Sequence, residues 1–190
     1  MKGKIILIWG TIMFMLSGVC CIASAQETPG TNLVINGSFE NAVSNWYTNP
    51  TAHPERVSPD DSTSTDSERS LKLDGTTPDT LFWMGTSSGL GGKLKSAQDY
   101  ILKADIRRTT NKGKIGVAIV EKPEEKTWNE SILHWCGRNS EKELNIWEHF
   151  ELKFKTNPKV DAAAIYLYNI DSGGIAWFDN IQLIEVTGEK

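Results

Sequence analysis

The chain has 190 residues, with 20 lysines and arginines against 24 aspartates and glutamates and a formal net charge of −4. Nowhere do the basic residues form a block, which argues against a phosphate-neutralising nucleic-acid surface and equally against attraction to an anionic membrane. The length suits one domain with a two-layer core.

Lys2 and Lys4 lead an apolar run over 5–19, and Ala23-Ser24-Ala25 follows with small residues where a signal peptidase reads. This order of charged, apolar and small-residue regions predicts a secretory signal over 1–25. An apolar run of about 15 residues is too short to span a bilayer, which needs ~20. Cys20 and Cys21 lack an aliphatic residue three positions earlier, where Ser17 and Gly18 stand, so lipidation is not the expected exit route. A short linker over 26–31 then precedes a domain over 32–187. The expected location is secreted: extracellular, periplasmic or at the cell surface, with no membrane contact once the signal is removed. Cys136 is then the only cysteine left, so no internal disulfide forms. A lone cysteine beside Trp135 reads as a small buried apolar residue rather than a nucleophile.

From Asn32 onward apolar residues recur with period two in short bursts separated by Gly, Asn, Asp, Ser and Pro. That pattern predicts many strands and few helices. The bursts place strands at 33–38, 45–48, 70–73, 81–86, 100–108, 114–121, 131–136, 147–155, 162–169 and 175–185. Asn36-Gly37, Asn111-Lys112-Gly113 and Asp171-Ser172-Gly173-Gly174 supply turns where positive φ costs little, the last predicting a hairpin. The polar, proline-containing stretches 50–67 and 123–129 read as surface excursions. Ten short strands at this spacing predict an all-β fold, two antiparallel sheets packed face to face as a sandwich. Alternation puts Tyr100, Leu102, Ala104 and Ile106 in the core, joined by Ile115, Val117, Ile119, Phe150, Leu152, Phe154, Ile165 and Leu167. It turns Asp105, Arg107, Tyr166 and Tyr168 outward.

The openings and closings of the domain, "NLVINGSFENAVSNW", "RSLKL", "DYILKADIRR" and "AWFDNIQLIEV", resemble the carbohydrate-binding modules of the CenC type, families 4, 9 and 22. These belong to the galactose-binding-like jelly rolls, and the resemblance covers nearly all of 32–186. It implies a noncatalytic module whose first and last strands are neighbours, with a structural calcium ion between them. Carried over by position, Glu40 and Asp179 are the implied side-chain ligands, with backbone oxygens near Asn36 and Ser70. Two carboxylates brought together repel unless a hard cation neutralises them, and Ca²⁺ takes 6–8 oxygens in flexible geometry. The bland alternative is that Glu40 begins a solvated loop and Asp179 accepts hydrogen bonds in a turn. The acidic run Asp60 to Asp66 lacks the glycine and spacing of an EF-hand.

Trp46, Trp147 and Trp177 fall beside core positions and are expected to fill the sandwich. Trp83, Trp128 and Trp135, with Tyr166 and Tyr168, are expected to form an exposed platform. A sugar presents an apolar C–H face that stacks on an aromatic ring, while its hydroxyls bond planar polar groups such as Asp105 and Arg107. Each residue taken singly reads equally well as packing or a surface ion pair.

Catalysis has little sequence support. His53, His134 and His149 accompany no Gly-x-Ser-x-Gly elbow and no H-E-x-x-H helix. His134 and Cys136 alternate to one strand face, in poor geometry for a dyad. The glycine-rich 85–93 has Ser87 and Leu94 where a phosphate loop needs Gly and Ser or Thr. A hydrolytic carboxylate pair such as Glu148 with Asp105 is not singled out by any motif. Three readings therefore stand: a secreted polysaccharide-binding module with structural calcium, a cell-surface or matrix adhesion domain using the same sandwich, and a small glycan hydrolase. The sugar, the binding face and the oligomeric state are not encoded in any motif.

Overall fold

The computed structural model describes residues 30–48, 54–65, 67–77, 83–86, 90, 93–137 and 143–187. The signal 1–25, His53 and parts of the 85–93 glycine-rich stretch lie outside the described residues. Among the described residues ten strands form: β1 (Trp46–Thr48), β2 (Val57–Asp60), β3 (Ser70–Asp74), β4 (Trp83–Thr86), β5 (Asp99–Arg108), β6 (Lys114–Pro123), β7 (Ile132–Cys136), β8 (Trp147–Lys155), β9 (Val160–Ile170) and β10 (Ile175–Glu185). They make two five-stranded antiparallel sheets, ordered β1-β4-β9-β6-β7 and β2-β3-β10-β5-β8, called here the first and second sheet. The all-β sandwich expected from the alternation is the observed fold.

Only β2–β3 and β6–β7 are consecutive strands paired within one sheet. Every other connection passes from one sheet to the other, as in a jelly roll. The Asp171–Gly174 turn is therefore not the hairpin it was expected to be: β9 lies in the first sheet and β10 in the second. Asp171 and Gly173 take positive φ, the backbone that both a hairpin and a sheet-changing corner require. Ser172 and Asn169 hold the corner by hydrogen bonds to the Gly174 carbonyl.

Alternation sorts the core as expected. Tyr100, Leu102, Ala104 and Ile106 of the second sheet face Ile115, Val117, Ile119, Ile165 and Leu167 of the first, and Leu71, Leu73, Phe178 and Leu183 complete the layer, all at most 2 % exposed. The leucine, isoleucine, valine and phenylalanine side chains among them each contribute roughly 1.5–3 kcal/mol on burial. Phe150 and Leu152 pack against this layer from β8 while partly exposed.

The first expected strand, 33–38, is not one. Asn32 makes an isolated antiparallel bridge to Ile184, Leu33 N–H donates to the Leu183 carbonyl at 2.8 Å, and Ile181 N–H donates to the Gly37 carbonyl at 2.9 Å. The amino-terminal segment thus lies beside β10, as expected, but Asn36 and Phe39 take positive φ and bend it into a turn-rich loop. Asn36 organises that loop: its amide donates to the Ala42 and Ser44 carbonyls, and its own carbonyl accepts the Trp46 indole N–H at 3.0 Å.

The stretch 50–67, read as a surface excursion, instead contains β2. Its short run "VSPD" carries a proline that suits only an edge strand, and β2 is the edge of the second sheet. The residues after β2 then cross the outer face of that sheet as a strap.

Candidate functional site

The outer face of the second sheet lies under the strap. Trp177 Nε1 donates to Asp60 Oδ2 at 2.7 Å, and Trp147 Nε1 and Arg107 Nη1 both donate to Thr63 Oγ1, at 2.9 and 2.8 Å. Burial works to raise the Asp60 carboxyl, but bonds from Ser62 and the Trp177 indole, with Lys72 nearby, outweigh it and hold it below the usual carboxylate range. Trp147 and Trp177 therefore do not fill the sandwich as expected; they face away from it and clasp the strap. Trp46 does fill it, packed on Phe39 with ring centroids 5.3 Å apart.

Further along the same face, Asp105 on β5 and Asp179 on β10 are register partners, and both are buried. Asp179 Oδ2 accepts from Thr65 N–H at 2.7 Å and Oδ1 from Asn180 N–H at 2.8 Å. Asp105 Oδ1 lies 2.7 Å from His149 Nδ1, and its Oδ2 accepts from Asn180 Nδ2 at 3.2 Å. A bulge between Asp179 and Gln182, with Asn180 at φ +49°, aims these groups at the strap. Glu40 Oε1 accepts from Arg69 N–H at 2.9 Å, and Ser67 Oγ reaches both the Ser38 and Arg69 carbonyls, at 3.4 and 3.2 Å. Ser70, wholly buried, has a hydroxyl without a hydrogen-bond partner among the described residues. No group of three or more His, Cys, Asp or Glu side chains converges among the described residues, so a cation here would draw on carbonyl and hydroxyl oxygens as well. Of the backbone oxygens expected near Asn36 and Ser70, the Asn36 carbonyl accepts the Trp46 indole N–H, and the Ser38 and Arg69 carbonyls both lie against Ser67 Oγ.

The outer face of the first sheet has a different character. Trp83, Tyr166, Tyr168 and Trp135 come together there. Trp83 meets Tyr166 edge-on at 4.6 Å between centroids, Tyr166 meets Tyr168 at 6.0 Å, and Tyr168 meets Trp135 at 4.8 Å. Tyr47 extends the row at 5.8 Å from Trp83, and its hydroxyl lies 3.3 Å from that of Tyr166. Tyr47 was not singled out from the sequence, although the signal was present: Trp46 points in, so its neighbour on a strand points out. Burial, with Tyr47 beside it, holds the Tyr166 phenol well above the usual tyrosine range. Burial also pushes the Tyr168 phenol up, to about 12. Both hydroxyls stay protonated and able to donate at neutral pH.

Asp105 and Arg107 do not join this platform. They project outward from the second sheet, the rings outward from the first, and the whole sandwich separates them. Trp128 stands on the 3-10 turn Trp128–Glu130, about half exposed at 48 %, beyond the ends of β6 and β7 rather than over the middle of the sheet.

The arrangements considered for catalysis come apart. Glu148 pairs in register with Ile106 and is buried, whereas Asp105 pairs with His149 and faces outward, so the two carboxylates lie on opposite faces of one sheet. Cys136 is buried with Sγ 3.7 Å from the Leu102 carbonyl, and burial, with Glu151 a lesser cause, pushes its thiol up to about 12. His134 stacks on Phe154 at 4.7 Å and lies 3.4 Å from the buried Glu121 carboxylate.

The sequence model of a family described as "Carbohydrate binding domain" matches residues 31–173. No curated protein matches the chain. Among solved structures, the second family 16 carbohydrate binding module is similar with a TM-score of 0.60 and 23 % identity, covering 81 % of this chain and 100 % of that one. The CBM22-1 xylan-binding domain of Paenibacillus barcinonensis Xyn10C is similar with a TM-score of 0.62 and 12 % identity, covering 84 % and 97 %. The C-terminal family 22 carbohydrate binding module of Clostridium thermocellum Xyn10B gives 0.61 and 12 %, covering 81 % and 93 %. At these identities the likeness is one of fold.

Proposed function

The chain belongs to the carbohydrate binding domain family, and on that premise we propose that it binds a polysaccharide across the outer face of its first sheet. The domain is a noncatalytic binding module. The single observation that carries the site assignment is the continuous ring row Tyr47, Trp83, Tyr166, Tyr168 and Trp135. Tyr47 is exposed and the other four rings are half-buried against one another, so the row presents a shared apolar surface of the kind that marks a binding face. Five strands at ~4.8 Å spacing give the row a reach of ~19 Å, room for several sugar units laid across the strands. The rings stack against C–H faces, and the protonated tyrosine hydroxyls donate to sugar oxygens. The similar Paenibacillus barcinonensis module is a xylan-binding domain, which makes xylan the first glycan to try.

A structural calcium ion accompanies this reading. Glu40 and Asp179 would hold it together with the Ser38 and Arg69 carbonyls and the orphan Ser70 hydroxyl, an all-oxygen set of the kind Ca²⁺ prefers. When bound, the ion would neutralise the carboxylates and fasten the amino-terminal loop to the strap. Export through the signal over 1–25 would deliver the module outside the cytoplasm, where polysaccharide is met.

An adhesion domain would use the same rings for protein contact. Intrinsic tryptophan fluorescence titrated with soluble xylan, mixed-linkage β-glucan and galactomannan separates the two. A saturable change that Trp83→Ala abolishes supports glycan binding, and no response to any glycan favours adhesion.

A further inference from the structure

The residues of the first sheet's outer face alternate in size across the strands. In one row Tyr47 on β1, Gly85 on β4, Tyr166 on β9, Ala118 on β6 and Trp135 on β7 are successive register partners. In the next, Trp83, Tyr168 and Gly116 follow one another. Tyr47, Tyr166, Tyr168 and Trp135 each have a glycine or alanine as a register partner, and Trp83 pairs with Tyr168. Ala118 sits on the outer face yet is wholly buried, because the neighbouring rings cover it.

At Gly85 a ring lies directly over the backbone. A Cβ there would stand 2.5 Å from Tyr166 Cε1, 2.7 Å from Tyr166 Cδ1 and 3.0 Å from Tyr47 Cζ. A glycine inside a strand marks a bulge, a bend or a close approach. The β1–β4 and β4–β9 registers run without a shift, and Gly85 has no positive φ. The backbone would accept any residue; the ring lying over it would not.

We propose that Gly85, seconded by Ala118, is a positioning residue for the glycan platform. Resting on the reading of this face as the sugar site, the claim is that Gly85 lets Tyr166 lie down across β4. There it meets Trp83 edge-on and brings its hydroxyl to Tyr47. A side chain at 85 lifts the Tyr166 ring, breaks both contacts and raises an edge in the path of the sugar chain, without disturbing the core beneath.

The test compares Gly85→Ala, Gly85→Val and Ala118→Val with the parent domain in three readouts: thermal melting, near-ultraviolet circular dichroism, and affinity for xylohexaose or whichever soluble glycan binds the parent. Expected are cooperative melts close to the parent's, an altered near-ultraviolet spectrum from the displaced Trp83–Tyr166 pair, and affinity lowered about tenfold or more, most in Gly85→Val. In a Tyr166→Ala background Gly85→Ala should lose nothing further, because the ring it displaces is gone. An unchanged spectrum and affinity in Gly85→Ala and Ala118→Val overturn the proposal, as does an undiminished Gly85→Ala loss in the Tyr166→Ala background. If the parent binds no glycan, the functional reading fails, and the spectra alone decide whether Gly85 sets the ring geometry.

Discussion

Asp105 and Asp179 stand opposite each other on β5 and β10, and one hydroxyl, that of Thr65, lies 2.8 Å from Asp105 Oδ2 and 3.0 Å from Asp179 Oδ2. A hydroxyl carries a single proton and can donate to only one of them. Two buried carboxylates this close repel unless a cation or a proton intervenes. His149 Nδ1 lies 2.7 Å from Asp105 Oδ1, and Asp179 is the carboxylate that the proposed calcium would neutralise. Chelation with EGTA is therefore expected to lower the melting temperature, and added Ca²⁺ to restore it. Asp179→Ala should cost about 2–4 kcal/mol, through the orphaned Thr65 and Asn180 amides, and should remove the response to calcium. Asp105→Asn should cost less, since it removes the repulsion and keeps a polar partner. A parent melting curve indifferent to EGTA contradicts the calcium proposal.

Trp83→Ala, Tyr166→Ala and Trp135→Ala are each expected to weaken glycan binding by about 2 kcal/mol, roughly thirtyfold, as central aromatic anchors do. Arg107→Ala should leave affinity unchanged, because the guanidinium lies over Trp177 on the far sheet, 5.0 Å from the ring centroid. Calorimetric titration of the four variants checks this. Equal losses in Arg107→Ala and Trp83→Ala would place the sugar on the wrong sheet.

Alkaline titration reports on the platform directly. Burial raises the Tyr166 and Tyr168 phenols in the folded domain, whereas an unfolded tyrosine ionises near ~10. Between those values the folded chain keeps protons that the unfolded chain releases. The stability these groups contribute is thus complete below about pH 10 and is lost as pH rises through the folded values. Urea midpoints should fall above about pH 10, and Tyr166→Phe with Tyr168→Phe should flatten the fall. Absorbance near the tyrosinate band should show ionisation delayed until unfolding.

Cys136 should be inert to an aromatic disulfide reagent in the native state and react in full once denatured. Its burial and raised thiol leave little thiolate to attack. Rapid native labelling would mean that the β7 edge opens readily.

The alternation along "YILKADIRR" and "AIYLYN" told which side chains leave the core, and the structure keeps every one of those assignments. What alternation cannot tell is which sheet a strand joins, because sheet membership depends on partners far away in the chain. Asp105 and Tyr166 both point outward, but from opposite sheets, so a platform combining them was legible only as a list. The same limit explains the corner at Asp171–Gly174: its residues permit positive φ, and that local preference serves a hairpin and a sheet change alike. β2 escaped notice because "VSPD" has too few apolar residues to show a period, and an edge strand needs few. The segment 33–38 has the apolar residues of a strand, yet Asn36 and Phe39 turn it after one bridge to β10. Trp147 and Trp177 looked like core because tryptophan usually is; their indole N–H groups needed Thr63 and Asp60, and those lie on the strap.

The central claim, that the ring row on the first sheet binds a polysaccharide, is most directly tested by isothermal titration of the mature domain with xylohexaose, mixed-linkage β-glucan oligosaccharides and mannohexaose, run beside Trp83→Ala. The account predicts saturable binding of at least one of them and its loss in the variant. Binding that survives in Trp83→Ala and Tyr166→Ala alike, or no binding to any glycan by a folded domain with calcium supplied, would contradict it.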